Sequence, residues 1–147
     1  MKNALVEIYS RDILKLTDEI NNYKDEKMLW VTGAGINNSP GNLCLHLVGN
    51  LNHFIGSVLG KNGYQRERDK EFSLKNIPVT TLTDMIEKTG EVVLKILTAM
   101  NEKDFEDNFP ERKDDKFLKT DFMLLHLLAH FNYHLGQINY HRRLMDK

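Results

Sequence analysis

Histidines near the carboxyl end of the chain are the residues whose type and spacing could do chemistry. His126, His130 and His134 recur at every fourth position, and His141 follows later in the same segment. On a helix, positions four apart lie one turn above one another on the same face, so the first three imidazoles form a row. Two imidazoles at that spacing can bind a single metal ion. We therefore interpret this segment as a helix that organises a metal site.

A second polar stripe interrupts an otherwise apolar segment earlier in the chain. It consists of His46, Asn50 and His53. Buried polar groups need partners, and the histidine row is the obvious source of them. Spacing alone leaves open whether His46 or His53 joins the row, and which adjacent pair of the row binds. A single buried histidine is more often a hydrogen-bonded core residue than a ligand, but six histidines confined to two segments favour a metal.

The neighbours of the histidines limit the kind of metal site. Di-iron bundles place a Glu three residues before a ligand His. The residues at those positions here are Leu43, Asn50, Met123, Leu127, Phe131 and Ile138. The His-Glu-x-x-His pattern of zinc proteases is also absent, because Leu127 and Phe131 occupy the two possible Glu positions. Nitrogen-rich ligation with few carboxylates suits Zn, Ni, Co or Fe(II), and three histidines with open positions are typical of a catalytic site.

Apolar residues at spacings of three and four predict the helices that must position these side chains. The predicted helices cover about residues 3–23, 40–60, 82–100 and 120 to nearly the end of the chain. The connections between them are longer than is usual between antiparallel neighbours in a bundle, which permits crossovers. We therefore expect an all-α fold, a four-helix bundle with long connections, and assume no particular order of helix directions.

Local signals refine these boundaries. Ser39 suits the N-cap and Pro40 the first position of the second helix. Thr81 with Asp84 resembles a capping box at the start of the third helix. Asp12 is the one break in the apolar stripe of the first helix.

Three glycines lie inside predicted helices, where each costs roughly 1 kcal/mol relative to Ala. They are Gly49, Gly56 and Gly136. Close contact with another helix, within the chain or across a two-fold axis, would offset that cost.

The connection over residues 60–80 has charges of alternating sign at its centre. Such a run usually forms a solvated or lightly helical surface. The alternative is that Tyr64, Arg66 or Arg68 reaches over the mouth of a pocket toward an anionic substrate.

Composition limits the class of protein. A chain of 147 residues suits a single domain over 1–147, and 41% apolar residues are enough for one core. A net charge of −1, with basic residues scattered among acidic ones, argues against nucleic-acid binding. No apolar run approaches the roughly 20 residues that span a bilayer, and no signal-peptide pattern is evident. Cys44 is the single cysteine, so we expect a reducing, cytoplasmic environment and a small core residue at this position.

Two motifs together resemble the DinB-like superfamily of small metal-binding four-helix proteins. They are Leu-His-Leu-Val-Gly-Asn-Leu-Asn-His-Phe-Ile-Gly, from residue 45, and His-x-x-x-His-x-x-x-His-x-Gly-Gln-Ile, from residue 126. The resemblance covers nearly the whole chain, and the His-x-Gly-Gln-Ile end is its specific part. It implies that His46, His130 and His134 bind the metal, and that His126, one turn earlier, lies outside the ligand set.

Other polar residues are candidates for the surroundings of these ligands. Asn50 follows His46 by one turn, and Gln137 follows His134 by three residues. Either could accept the outward N–H that ligand histidines usually donate. His53 belongs with them as a residue that could approach the ligands or close the coordination sphere, as could His126.

The resemblance also implies a function: metal-dependent transfer of a low-molecular-weight thiol, such as bacillithiol, onto an electrophile. Zn or Ni is the expected metal, a small-molecule thiol and an electrophile are the expected partners, and a homodimer is favoured. Metal coordination ionises a thiol, and the thiolate is the nucleophile. The alternatives are a metal-dependent hydrolase or isomerase that uses bound water, and a non-enzymatic stress protein that binds a metal or small ligand.

Overall fold

Helices make up the regular structure of the chain. The computed structural model describes residues 1–33, 35–112 and 115–147. Within those ranges the chain has no strand, although an isolated antiparallel bridge joins Asn108 and Lys119. The all-α prediction is confirmed. In the same ranges no helix combines the length and the apolar character that crossing a membrane requires.

The described part of the chain contains four long α-helices and two short ones. They are α1 (Lys2–Asn21), α2 (Pro40–Leu51), α3 (Arg68–Ser73), α4 (Val79–Ala99), α5 (Glu102–Glu106) and α6 (Thr120–Met145). The long helices lie where apolar spacing predicted them, with shifts of a few residues at their ends. Helices α1 and α2 each contact both α4 and α6, so one apolar core lies among the four.

The buried face of α1 has the predicted apolar spacing. It consists of Leu5, Tyr9, Ile13, Leu16 and Ile20. Asp12, the polar residue in that stripe, is also buried. Its carboxylate accepts hydrogen bonds from Arg11 at 2.7 Å and from Asn132 of α6 at 2.8 Å. These partners offset the cost of burying a charge, so Asp12 joins α1 to α6.

Helix α2 is buried along its whole length. Ser39 accepts a hydrogen bond from the backbone N–H of Asn42 at 3.3 Å, and Pro40 occupies the first helical position, as predicted. Every residue from Pro40 to Leu51 is buried because α3, α4, α6 and a 3₁₀ turn (Glu26–Trp30) all pack against this helix. The polar residues of α2 must therefore find partners inside the protein.

The helical path continues after α2 with a different hydrogen-bond pattern. Residues Asn52–Leu59 are π-helical, and the N–H of Gly60 donates to the carbonyl of Ile55, five residues earlier, at 2.9 Å. Such wide turns are rare and often lie at functional sites. Here the π-helical segment begins two residues after Asn50 and includes His53, so it adjoins the polar stripe.

The predicted start of the third long helix is wrong. Helix α4 begins at Val79, and no side chain caps it. The backbone N–H groups of Thr81 and Leu82 both donate to the carbonyl of Pro78 at 3.0 Å. Thr81 therefore already lies inside the helix and cannot be the N-cap.

Two long connections contain short helices. Helix α5 begins with a capping box between Asn101 and Asp104, and α3 lies in the 60–80 connection. Helices of five or six residues are too short to display a 3.6-residue period, so spacing does not reveal them. The expected lightly helical surface at 60–80 is partly correct, but α3 packs on α2 and buries Glu71.

Candidate metal centre

Three imidazoles from two helices converge on one point. The Nε2 atom of His130 lies 3.2 Å from Nε2 of His46 and 3.1 Å from Nε2 of His134. One nitrogen from each ring lies within 4.8 Å of the others, an arrangement that could hold a metal ion. The structure thus brings together the three residues predicted as ligands.

Helix packing explains this convergence. His130 and His134 are four residues apart on α6 and share a face. His46 lies in the middle of α2, which packs against α6. His46 is buried and the other two are partly buried, so the cluster lies at the edge of the core. The prediction that the α2 stripe finds partners in the α6 row is confirmed for His46.

A buried carboxylate fixes the orientation of His46. The Nδ1 atom of His46 lies 2.9 Å from Oε1 of Glu71 on α3. An ionised carboxylate can only accept a hydrogen bond, so Nδ1 carries the hydrogen and donates it. In its neutral form the His46 ring therefore presents a bare Nε2 to the other two histidines. Ligand histidines in metal sites commonly donate to a carboxylate in this way.

Arg66 holds that carboxylate in place. Its Nε donates to Oε2 of Glu71 at 2.7 Å and its Nη2 donates to Oε1 at 2.8 Å, a bidentate ion pair. Burial by itself would raise the pKa of Glu71, but hydrogen bonds from Arg66 and His46 outweigh it and hold the pKa below its usual value. Glu71 is therefore ionised at neutral pH, as its acceptor role requires.

Glycine at position 49 makes room for this carboxylate. A Cβ atom at Gly49 would collide with Oε2 of Glu71, because α3 lies against this part of α2. The close contact predicted for Gly49 is present and is made by a side chain of α3. Gly56 similarly approaches Val92 of α4, where an added Cβ would lie 3.3 Å from a methyl group. Gly136 faces open space, so no close contact within the described chain offsets its cost, and contact across a two-fold axis stays a prediction.

His134 is oriented by its own helix. Its Nδ1 lies 2.7 Å from Oε1 of Gln137, one turn further along α6. Donation from Nδ1 to this amide oxygen leaves a second bare Nε2 facing His130. Gln137 thus lies where an outer acceptor was predicted.

When all three rings are neutral, a cation between them suits this arrangement of imidazoles. Nε2 of His130 carries at most one hydrogen, which can satisfy only one of its two bare neighbours. The remaining contact is then between lone pairs, which repel. Three nitrogens on a tetrahedral ion at about 2.0–2.1 Å would lie about 3.3 Å apart, close to the observed 3.1 and 3.2 Å. The donor set therefore fits a divalent transition metal.

The protonation of the rings suits such an ion. Burial, together with the neighbouring His134 and His46, lowers the pKa of His130 to about 4. Burial likewise lowers the pKa of His134. Both rings are therefore neutral at pH 7, and their lone pairs are available to a metal.

Two buried polar atoms beside the cluster have no hydrogen-bond partner within the described part of the chain. They are Oδ1 of Asn50 and Nδ1 of His130. If Nε2 of His130 binds a metal, its Nδ1 carries a hydrogen and needs an acceptor. Both residues line the same cavity, where an ordered water could accept from one and donate to the other. Glu71 rather than Asn50 accepts from His46, so an outer role for Asn50 stays a prediction.

The other two predicted histidines lie outside the three-nitrogen group. His126 lines the cavity that also contains His130. His53 points to Glu111, with 3.0 Å between its Nε2 and Oε2 of the carboxylate. That His53 and His126 influence the ligands stays a prediction.

Two further candidates have structural surroundings. His141 is buried, and its ring nitrogens lie 3.0 Å from the Tyr23 hydroxyl and 2.9 Å from the Val31 carbonyl oxygen. Cys44 is fully buried, and burial raises the pKa of its thiol to about 12. The interpretation of Cys44 as a core residue is confirmed, since it is neither exposed nor ionised at neutral pH.

Sequence spacing does not indicate Glu71. It lies in a charged run that has no period linking it to a histidine. Two residues could have drawn attention to it: Gly49 in a buried helix and Phe72 within the charged run. The ring of Phe72 packs 5.1 Å from that of His46, so α3 covers the cluster.

Two cavities border on the histidine cluster. One of about 320 Å³ is lined in part by His46 and His130. Another of about 480 Å³ is lined in part by His134, with Tyr133 and Leu144 among its apolar walls. Both volumes suit small-molecule ligands.

Comparison with known proteins identifies a family without a known function. A family model described as a protein of unknown function (DUF1572) matches residues 6–147. No curated protein matches the chain. The matched range includes all three converging histidines and Glu71.

Proposed function

We propose that this chain, which belongs to the DUF1572 family of proteins of unknown function, binds one divalent transition-metal ion through His46, His130 and His134. The observation that carries the proposal is the convergence of the three Nε2 atoms, with His46 and His134 oriented from outside by Glu71 and Gln137. Zn or Ni is the proposed metal, because the donors are nitrogen.

We propose in addition that the domain, over residues 1–147, is a DinB-like four-helix bundle. The order of the four long helices supports this, as does the position of His46 in the middle of α2. On α6, the Gly-Gln-Ile segment follows the pair His130 and His134, as the resemblance requires.

The proposed activity is transfer of a low-molecular-weight thiol onto an electrophile. A bound divalent ion would supply the charge that ionises such a thiol. Glu71 and Gln137 keep two imidazoles in the orientation that binding requires. Cys44 is buried and un-ionised, so the attacking sulfur must belong to the substrate. The apolar walls of the larger cavity would receive the electrophile.

A panel of thiols tests this activity. Metal-loaded wild type and His130→Ala would be mixed with bacillithiol, cysteine or 2-mercaptoethanol, and with a chlorobimane acceptor whose adduct is fluorescent. At least one thiol should react faster with wild type than without protein, and His130→Ala should lose that acceleration. Rates that match the uncatalysed reaction for every thiol would reject the transferase.

His126 supports a second candidate, a metal-binding protein without catalysis. Because it lines the same cavity as His130, it could supply a fourth nitrogen and close the coordination sphere. X-ray absorption spectroscopy of zinc-loaded wild type and His126→Ala separates the candidates. Four nitrogen ligands that fall to three in the variant favour the non-catalytic protein, whereas three nitrogens with oxygen in both favour catalysis.

A further inference from the structure

Cationic side chains surround the smaller cavity beside His46. Its lining includes Arg66, Arg68 and Arg112, with Glu111 as an acidic neighbour. The cavity of about 320 Å³ therefore combines the histidine cluster with three guanidinium groups. A row of arginines beside a proposed cation site would repel a cationic ligand and attract an anion.

Two of these charged groups already have polar partners. Both carboxylate oxygens of Glu71 accept hydrogen bonds from Arg66, at 2.7 and 2.8 Å. Glu111 accepts a hydrogen bond from His53 at 3.0 Å. Arg66 therefore orients Glu71, and Glu111 pairs with His53, so both already have a partner within the protein.

Arg68 and Arg112 are placed differently. The guanidinium carbon of Arg68 lies over the Phe72 ring, 5.6 Å from its centroid, and that of Arg112 lies over the Phe117 ring at 4.6 Å. Neither forms an ion pair with an acidic residue in the described part of the chain. A guanidinium that lies over an aromatic ring still has N–H groups available to a planar oxyanion.

The rest of the cavity is largely apolar. Phe54, Phe109, Met123 and Leu127 line it beside the charged groups. A ligand that fills it therefore needs an apolar part as well as a charged end. A bare inorganic ion would leave the aromatic walls uncovered.

We propose that this cavity binds a small organic molecule with an oxyanion group, a carboxylate or a phosphate, held by Arg68 and Arg112. Its apolar part lies on Phe54 and Phe109, and its other end faces His46 and His130. The inference rests on the proposed function, in which this molecule is the thiol that approaches the metal. It adds the substrate class: the thiol is an acid.

Calorimetric titration of the zinc-loaded protein with four probes tests this. Mercaptosuccinate carries both a thiol and carboxylates, 2-mercaptoethanol carries only the thiol, and succinate and inorganic phosphate carry only the anion. Mercaptosuccinate should bind at least about tenfold more tightly than 2-mercaptoethanol, since charge-assisted hydrogen bonds supply that much or more. Raising the salt concentration should reduce the difference, because both arginines are exposed.

A pair of double variants separates the arginines from general charge effects. Arg68→Gln with Arg112→Gln should weaken mercaptosuccinate binding at least about tenfold and leave 2-mercaptoethanol binding and zinc content unchanged. Lys95→Gln with Arg143→Gln removes the same charge from exposed positions outside the cavity lining and should change affinity less than about twofold. Circular dichroism would verify that both variants are folded.

The outcomes distinguish failure of the oxyanion site from failure of the proposed metal site. Equal affinities for mercaptosuccinate and 2-mercaptoethanol on zinc-loaded protein, or equal losses in the two double variants, would overturn it and leave the metal site intact. Arginine-dependent binding of succinate by protein that takes up no zinc would retain the anion site and reject the metal. Competition by succinate identifies the oxyanion as a carboxylate, and stronger competition by phosphate identifies it as a phosphate ester.

Discussion

The hydrogen bond from His46 to Glu71 is the single contact on which the geometry of the cluster most depends. Glu71→Gln keeps the shape of the side chain and removes the charge that accepts from both Arg66 and His46. We expect metal affinity to fall about 10–100-fold, as is usual when an outer partner of a ligand histidine is lost. Competition with a chromophoric chelator measures this. Glu67→Gln, an exposed glutamate near the same helix, is the control and should have no effect.

Gly49→Ala tests the same contact from the other helix. The added methyl group would displace the Glu71 carboxylate, so affinity should fall as it does in Glu71→Gln. Gly136→Ala adds a methyl group to open space and should leave affinity unchanged. Equal affinities in the two alanine variants would show that Glu71 does not orient His46.

The depressed pKa of His130 predicts how the metal-free protein responds to acid. The folded-state pKa is about 4, below the ordinary value of about 6.5 that applies to the unfolded chain. As pH falls from about 6.5 toward 4, the unfolded chain takes up a proton that folded His130 does not. The stability contributed by neutral His130 is therefore complete above that window and is lost within it.

Urea unfolding of chelator-treated protein at pH 7 and pH 5 checks this pH dependence. The midpoint should fall more in wild type than in His130→Gln, which has no group to protonate at that position. His134 and His141 also have lowered pKa values, but both residues are present in both proteins. Their contributions to the pH dependence of the midpoint therefore cancel in the comparison. Equal decreases in the two proteins would contradict the prediction.

Residue types and spacing identify the histidines as candidate metal ligands but do not show which of them bind the ion. His126 and His134 are equally good neighbours of His130 on a helix, and only the packing of α2 on α6 places His46 beside the 130/134 pair. The resemblance identified that triad where spacing left it open. The sequence does not predict the role of Glu71, because its contact with His46 depends on how α3 packs against α2. No local sequence pattern indicates that packing.

At the level of elements, the proposed ion links α2 to α6. Binding to the folded state alone should add about 2.7 kcal/mol of stability at a zinc concentration about 100 times Kd. For a chain of this size the thermal midpoint should rise by roughly 10 °C. His46→Ala should lose most of this shift, and His53→Ala, whose ring faces Glu111, should keep it. Identical zinc-induced shifts in the two variants would place the ion elsewhere.

The predictability of each element depended on its length and burial. Helices α1, α2, α4 and α6 are long enough to display an apolar stripe, and Ser39 gave α2 a correct start. Helices α3 and α5 are too short for a period to show. The start of α4 was misplaced because Pro78 serves as N-cap through its backbone, which a search for capping side chains does not detect.

For the whole molecule, the outer face of α6 suggests how two chains would associate. Exposed apolar residues recur on it at helical spacing: Phe122, Leu125, Tyr133, Tyr140 and Leu144. Gly136 lies on the same face with open space around it, so close contact there could come from a second chain.

Light scattering at micromolar concentration should therefore give twice the 17.1 kDa mass of one chain. Leu125→Glu should yield the monomer, because it places a charge in the expected interface. Leu14→Glu is the control: it changes a leucine on α1 that is more exposed than Leu125 and should leave the dimer intact. A monomeric wild type would exclude the dimer.

Metal content tests the proposed site most directly. Wild type and His134→Ala would be loaded with zinc or nickel, freed of excess ion by gel filtration, and measured by elemental analysis. We predict about one ion per wild-type chain, and loss of most of it in the variant, since two histidines hold an ion far less well than three. A wild-type protein that retains neither zinc nor nickel would contradict the metal centre.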